Sequence, residues 1–309
     1  MAVSKTDRIS KSYYTNIHTE TELNSDMLMQ DLYQTIVRVY GSSHEIVNCS
    51  LVPENHDIEQ LLKEFLPSNQ SSYNDDLDDV ILKSIQYIAG IMVHRGFIVL
   101  ELVTQTDLNG IEFYSLENVY GTEIKIDDDY IFQIIPDDAA AQLKITEPIK
   151  IPRKKCFIID FPKELGGKNK HLEFLAEFKA LGKQSPMLNF IKNPLYGKPG
   201  YDSMEHQKIH DLELWKKSKM FYWHHRGGYE KYFSGYYSIY RRLMFKKSQI
   251  ILRDHIIENL KKIVTVFSEK IGNKIELKID GLITIEKVDK KISKWNSGQI
   301  NPYSINEVL

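Results

Sequence analysis

The sequence predicts an α+β protein: a helix-flanked antiparallel β module followed by a mainly helical, basic and aromatic-rich half. Three observations predict it. Apolar residues recur at helical spacing on both sides of a β-branched middle section. That middle section breaks into short extended runs separated by acidic or glycine-bearing turns. Beyond Gly166-Gly167 the runs lengthen and fill with lysine, arginine and tyrosine. Strands and helices segregate along the chain instead of alternating, the pattern of α+β proteins.

Residues 1–25 are polar and weakly patterned and form an N-terminal arm. An acidic α+β module is expected over 26–165. Its helices are residues 26–38, residues 57–65 ending before Pro67, and residues 78–93. The third places Val80, Ile81, Ser84, Ile85, Ile88 and Met92 on one face, with acids at the end the helix dipole favours. At Arg95-Gly96 it turns into FIVLELV, an expected strand. Shorter strands follow at 111–116, 122–126 and 130–135, the last two joined across Asp127-Asp128-Asp129, and another at 156–161, closed by Pro162. The basic region is expected over 166–309. It opens with a helix at 171–181 and a Pro/Gly-rich loop at 193–203. A long helical stretch then covers 204–267, jointed at Gly227-Gly228 and at Gly235. A small terminal α/β unit, extended over 274–284 and helical over 288–298, closes the chain.

Composition narrows the function classes. Apolar content of 42% and charged content of 27% are those of a folded protein. No apolar run approaches ~18 residues, so no membrane partner is expected. The first residues lack the apolar core of a secretory signal, and Cys49 and Cys156 are far apart, which points to a reducing, cytoplasmic setting. Charge is polarised. Residues 1–150 carry 10 Lys+Arg against 25 Asp+Glu, a net of -15, and residues 151–309 carry 30 against 17, a net of +13. Such asymmetry suits an electrostatic partner or head-to-tail contact between copies.

Candidate chemistry is sparse. His206 and His210 sit at i and i+4 but lack a third metal ligand, and adjacent His224 and His225 would diverge on a helix. Satisfied histidines are the better reading, and no metal or other cofactor is expected. Glu177-Phe178-Lys179 has the ExK form of magnesium nucleases, with Asp160 as a second acid. Those enzymes place ExK on a strand, whereas Leu172, Leu175, Phe178 and Leu181 have helical spacing. Asp160, Glu177 and Lys179 therefore form a catalytic set, with magnesium, only under a nuclease alternative. No phosphate-binding glycine loop occurs. From 206 to 262 there are 13 Lys+Arg against 5 Asp+Glu, a net of +8, interleaved with aromatics. Trp215, Tyr222, Tyr229 and Tyr236 recur every seven residues, a packing stripe. The bases Arg226, Lys231, Arg241, Arg242, Lys246 and Lys247 are expected to face nucleic-acid phosphates or an acidic partner.

One order of features covers more of the chain than any motif. A long helix leads to Gly96 and Phe97, a strand bearing Glu101, a segment with Leu116 and Val119, an acidic hairpin, then Ile151-Pro152 and Ile158 to Phe161. This order, over residues 60–165, resembles the core of tailed-phage portal proteins, and the tail WNSGQINPYSINEVL is similar to endings in that family. The chain is short for a portal, and its 204–267 region has no stem-and-clip pattern. The resemblance implies a non-enzymatic, portal-like assembly protein of a phage or mobile element that forms a homo-oligomer and touches DNA by charge. It implies location in the virion if the chain is a true portal, and other phage or defence proteins as further partners. The alternatives are a nucleic-acid-binding phage-defence or mobile-element effector and a protein–protein adaptor. Fold alone does not decide among these.

Overall fold

The structure is a computed structural model that describes residues 23–37, 47–67, 75–106, 110, 112–120, 123–135, 137, 140–141, 145–182, 200–223 and 235–300. Its helices are α1 (Leu23–Gln34), α2 (His56–Phe65), α3 (Leu77–Arg95), α4 (Gly167–Gly182), α5 (Ser203–Lys217), α6 (Gly235–Lys270) and α7 (Ile285–Asn296). Its strands are β1 (Asn48–Val52), β2 (Phe97–Thr106), β3 (Glu112–Asn118), β4 (Glu123–Ile126), β5 (Tyr130–Ile134), β6 (Ile149–Pro152), β7 (Cys156–Asp160) and β8 (Glu276–Asp280). The α+β class is as the sequence predicts.

Local chemistry sets the boundaries. Asn55 and Asp76 cap α2 and α3, their side chains accepting from Ile58 N at 3.1 Å and Asp79 N at 2.8 Å. Gly96 ends α3 in the left-handed region at φ 74°, where a side chain would be strained and an added Cβ would lie 3.2 Å from Leu172 Cγ. The chain then reverses directly into β2.

All strand pairing is antiparallel. One sheet has the order β3-β2-β7, a second β4-β5-β6, and β1 pairs with β8. The period of two sorts the faces of β2. Ile98, Leu100 and Leu102 turn toward the helices, joining the main core, while Val99 turns the other way to meet Val119, just beyond β3, and Ile131 and Ile151 of the second sheet. Helix α6, 36 residues long, has two apolar faces. Leu252, Ile256, Leu260, Ile263, Val264 and Phe267 belong to the main core, and Leu243 and Ile250 pack on Ile283 and Val288 of the terminal unit. The layers therefore run second sheet, first sheet, helical core, α7.

Three expectations change. The predicted long helix over 204–267 is two helices, α5 and α6, separated by a 3-10 turn at Ser218–Met220 and by residues 224–234, which lie outside the described residues with the Gly227-Gly228 joint. Strands β1 and β6 were not predicted; both are short, and β1 gains its register only from β8, more than 220 residues away. The boundary after residue 165 does not divide two cores, because one cluster spans Leu28 of α1, Ile85 of α3, Phe178 of α4, Phe245 of α6 and Leu277 of β8.

Candidate functional site

The basic, aromatic block is where function was expected, and α6 positions most of what can be seen of it. Arg226 and Lys231 lie outside the described residues, as do His224 and His225. Arg241 and Lys246 correct the expectation that these bases face outward: they are only 2% and 3% exposed. On a helix covered on two faces, every turn brings some position inward, and a charge placed there must find oxygen ligands.

Both find oxygens at chain turns. The Arg241 guanidinium donates to the Trp223 carbonyl and to Ser218 Oγ, and lies 5.1 Å over the Trp215 ring. Lys246 Nζ donates to the Thr35 carbonyl just beyond α1, at 3.5 Å. Burial, reinforced by the Arg253 charge, pulls the Lys246 ammonium down to about 8. Arg253, also buried, donates to the Ile283 carbonyl at 2.7 Å and pairs with Asp254. Arg242 is half-buried, and Lys247 pairs with Asp289 of α7 at 2.7 Å.

The same block fastens the end of α1. Trp223 Nε1 donates to Asp31 Oδ2 at 2.8 Å, and Gln249 Nε2 donates to the Asp31 carbonyl at 2.6 Å and to Thr35 Oγ1 at 2.7 Å. Trp223, Phe221 and Phe245 are buried. Trp215, Tyr237 and Tyr240 form a ring cluster at centroid distances of 6.0 and 6.3 Å. Tyr236, 49% exposed, stacks on Trp295 of α7 at 5.4 Å. The aromatics thus pack, but not as the single helical stripe expected: Trp215 lies on α5, Tyr222 in the turn after it at φ 57°, and Tyr236 on α6, while Tyr229 lies outside the described residues.

The nuclease residues occupy a different frame from the one that chemistry needs. Residues 172–180 are helical within α4, so Glu177 and Lys179 stand on its exposed side, with Glu177 paired to Lys217 of α5. Asp160 ends β7 and its carbonyl accepts from His255 Nε2 at 2.9 Å. Among the described residues no three histidines, cysteines or acids gather where a metal could sit. His206 Nδ1 shares a hydrogen bond with the Tyr201 hydroxyl at 2.8 Å, and buried His210 donates from Nε2 to the Leu181 carbonyl at 3.1 Å.

Two further titratable clusters, one buried and one half-buried, lie away from the basic block. His171 is fully buried, donates from Nε2 to the Val93 carbonyl at 2.7 Å, and stacks on Phe161 at 3.9 Å. Burial pushes its imidazole down to about 4, so it is neutral at pH 7. Across the first sheet, Glu101 faces Glu117 on β3 and Cys156 on β7. Burial and the Glu117 charge raise the Glu101 carboxyl, against an opposing pull from Lys155. Burial and Glu101 push the Cys156 thiol up to about 12, which keeps it protonated and unreactive. Neither cluster is visible as a local motif, because strand pairing or helix docking assembles it.

Among the described residues that turn charge outward, two surfaces bear on function. On α7, Lys287, Lys290, Lys291 and Lys294 fall at i, i+3, i+4 and i+7, along one flank. In the turn between β1 and α2, on α2 and at the N-terminal end of α3, Glu54, Asp57, Glu64, Asp76 and Asp79 are exposed. Comparison of the chain with protein-family models and with curated proteins gives no match. Among the described residues, no helix is long and apolar enough to cross a membrane.

Proposed function

We propose that the protein is a structural assembly protein of the portal-like kind, belonging to a phage or mobile element, which associates with itself and meets DNA through charge. The observation that carries this reading is the charge polarity, -15 over the first 150 residues and +13 over the rest, held within one shared core. A folded body with opposite charge on separate surfaces is built to meet its own copies or a polyanion. The run from α3 through β2, β3, the β4–β5 hairpin, β6 and β7 also keeps the order on which the portal resemblance rests. DNA contact falls to outward lysines such as Lys208 and Lys216 of α5, which position phosphates with little base specificity. The inward Arg241 and Lys246 are released from that role.

The test is the absolute mass of the purified chain by light scattering at low and high salt, paired with retention of a DNA duplex. A multimer at low salt that loosens at high salt, with DNA retained only at low salt, is the expected result. A monomer at both salts overturns the reading. A multimer that ignores DNA keeps the assembly and removes the nucleic acid.

A further inference from the structure

We infer that the copies meet head to tail, the lysine flank of α7 in one copy docking on the acidic β1–α2–α3 surface of the next. This rests on the self-association reading and names its two faces.

The α7 helix is split lengthwise. Val288 is buried against α6, with Ile285, Ile292 and Trp295 packed around it, and the four lysines occupy one flank of that apolar seam. Lys290 and Lys294 are exposed. The acidic surface has its own apolar content: Val52 and Leu61 are 41% and 40% exposed beside Glu54, Asp57 and Glu64. A surface of this kind can bury apolar area while its rim sets orientation.

Placement decides the occupant. α7 covers the N-terminal half of α6 on the face of Leu243 and Ile250. α2 lies against a different face of the C-terminal half, where Phe65 stacks on Phe267 at 4.4 Å. Leu243 and Phe267 are separated by roughly 36 Å along the axis at the standard helical rise. That distance is several times the screening length of about 8 Å at physiological salt, so the α7 lysines and the acids at the Phe65 end of α2 do not neutralise each other within one chain; the first turn of α3 lies nearer, beside β1, whose partner β8 leads into α7. DNA would engage α7 and leave the acidic surface idle, whereas a second copy engages both. Two different patches meeting make a heterologous contact, which closes into a ring or grows as a filament according to its rotation.

Two charge-reversal pairs test this, read as mass by light scattering at low salt. Lys290→Glu with Lys294→Glu, and Glu54→Lys with Glu64→Lys, each reduce the protein to monomer. An equimolar mixture of the two variants regains the assembled mass, because each then offers the surface the other needs. Variants that keep the wild-type mass, or a mixture that stays monomeric, overturn the docking. Loss of DNA retention with unchanged mass in the lysine pair assigns α7 to nucleic acid and overturns it equally. A wild type that is itself monomeric removes the self-association reading, a result distinct from any obtained with the variants.

Discussion

Helices α6 and α7 carry the same kind of residue to opposite ends. Arg241, Lys246 and Arg253 of α6 are buried, while Lys290 and Lys294 of α7 are exposed. The difference comes from how many faces each helix must bury. α7 packs one face and leaves its lysines outside, as an amphipathic surface helix does. α6 is covered on two faces over its N-terminal half, so Arg241, Lys246 and Arg253 are drawn inward, where turn carbonyls take the place of water, while Lys261, Lys262 and Lys270 beyond them stay exposed. Cationic density along a chain therefore does not by itself mark a binding surface; the same composition yields polar rivets in one helix and a docking flank in the other.

The largest effect expected from this contrast lies at Arg241. Arg241→Ala leaves the Trp223 carbonyl and Ser218 without their guanidinium and opens space beside Trp215, a loss of roughly 3–5 kcal/mol by urea denaturation. A loss under 1 kcal/mol would show the site to be solvent-like.

A buried neutral histidine extends the contrast to pH. His171 is held down to about 4 from its ordinary 6.5, so between those values the unfolded chain binds the proton and the folded chain does not. Its contribution is complete above 6.5 and fades as pH falls toward 4, by about 3 kcal/mol in all. His171→Leu should remove this part of the acid slope, measured by urea titrations at successive pH values; an unchanged slope contradicts the assignment.

Lys246 has the corresponding behaviour on the alkaline side. Its folded value of about 8 lies below the ordinary 10.5, so stability rises as pH climbs from 8 to 10.5, where only the unfolded chain still holds the proton. Lys246→Met removes a buried ammonium while keeping its stem, and is expected to be neutral or to stabilise by about 1–2 kcal/mol at pH 7. It should also flatten the alkaline slope. Clear destabilisation would mean that the contact with Thr35 outweighs the cost of burial. The smallest effect belongs to Lys294→Ala, expected within about 0.5 kcal/mol of wild type in the same assay.

Much of this fold was legible in the sequence. Helical spacing located α2, α3 and α4 closely, and the acidic turn Asp127-Asp128-Asp129 marked the β4–β5 hairpin. Those signals are local, a matter of periodicity and turn chemistry. The pairing of Asn48–Val52 with Glu276–Asp280 was not legible, since neither strand carries a register without the other. The site was harder still. The seven-residue aromatic spacing assumed one helix where the chain breaks after α5, so it could not show that α6 would be covered on both faces or sort Arg241 from Lys247. The lysine flank of α7 is legible in the sequence at i, i+3, i+4 and i+7. His171 had no sequence signal beyond lying on a helix, because Val93 and Phe161 come to it only in the folded chain.

The contrast between the two helices is tested most directly by acetylating the lysines of the intact protein and following each site by mass spectrometry at low and high salt. The account predicts that Lys246 reacts slowly at both salts, whereas Lys290 and Lys294 react quickly at high salt and are protected at low salt, where copies assemble. Lys246 reacting as fast as Lys290, or α7 lysines reacting equally at both salts, would contradict it.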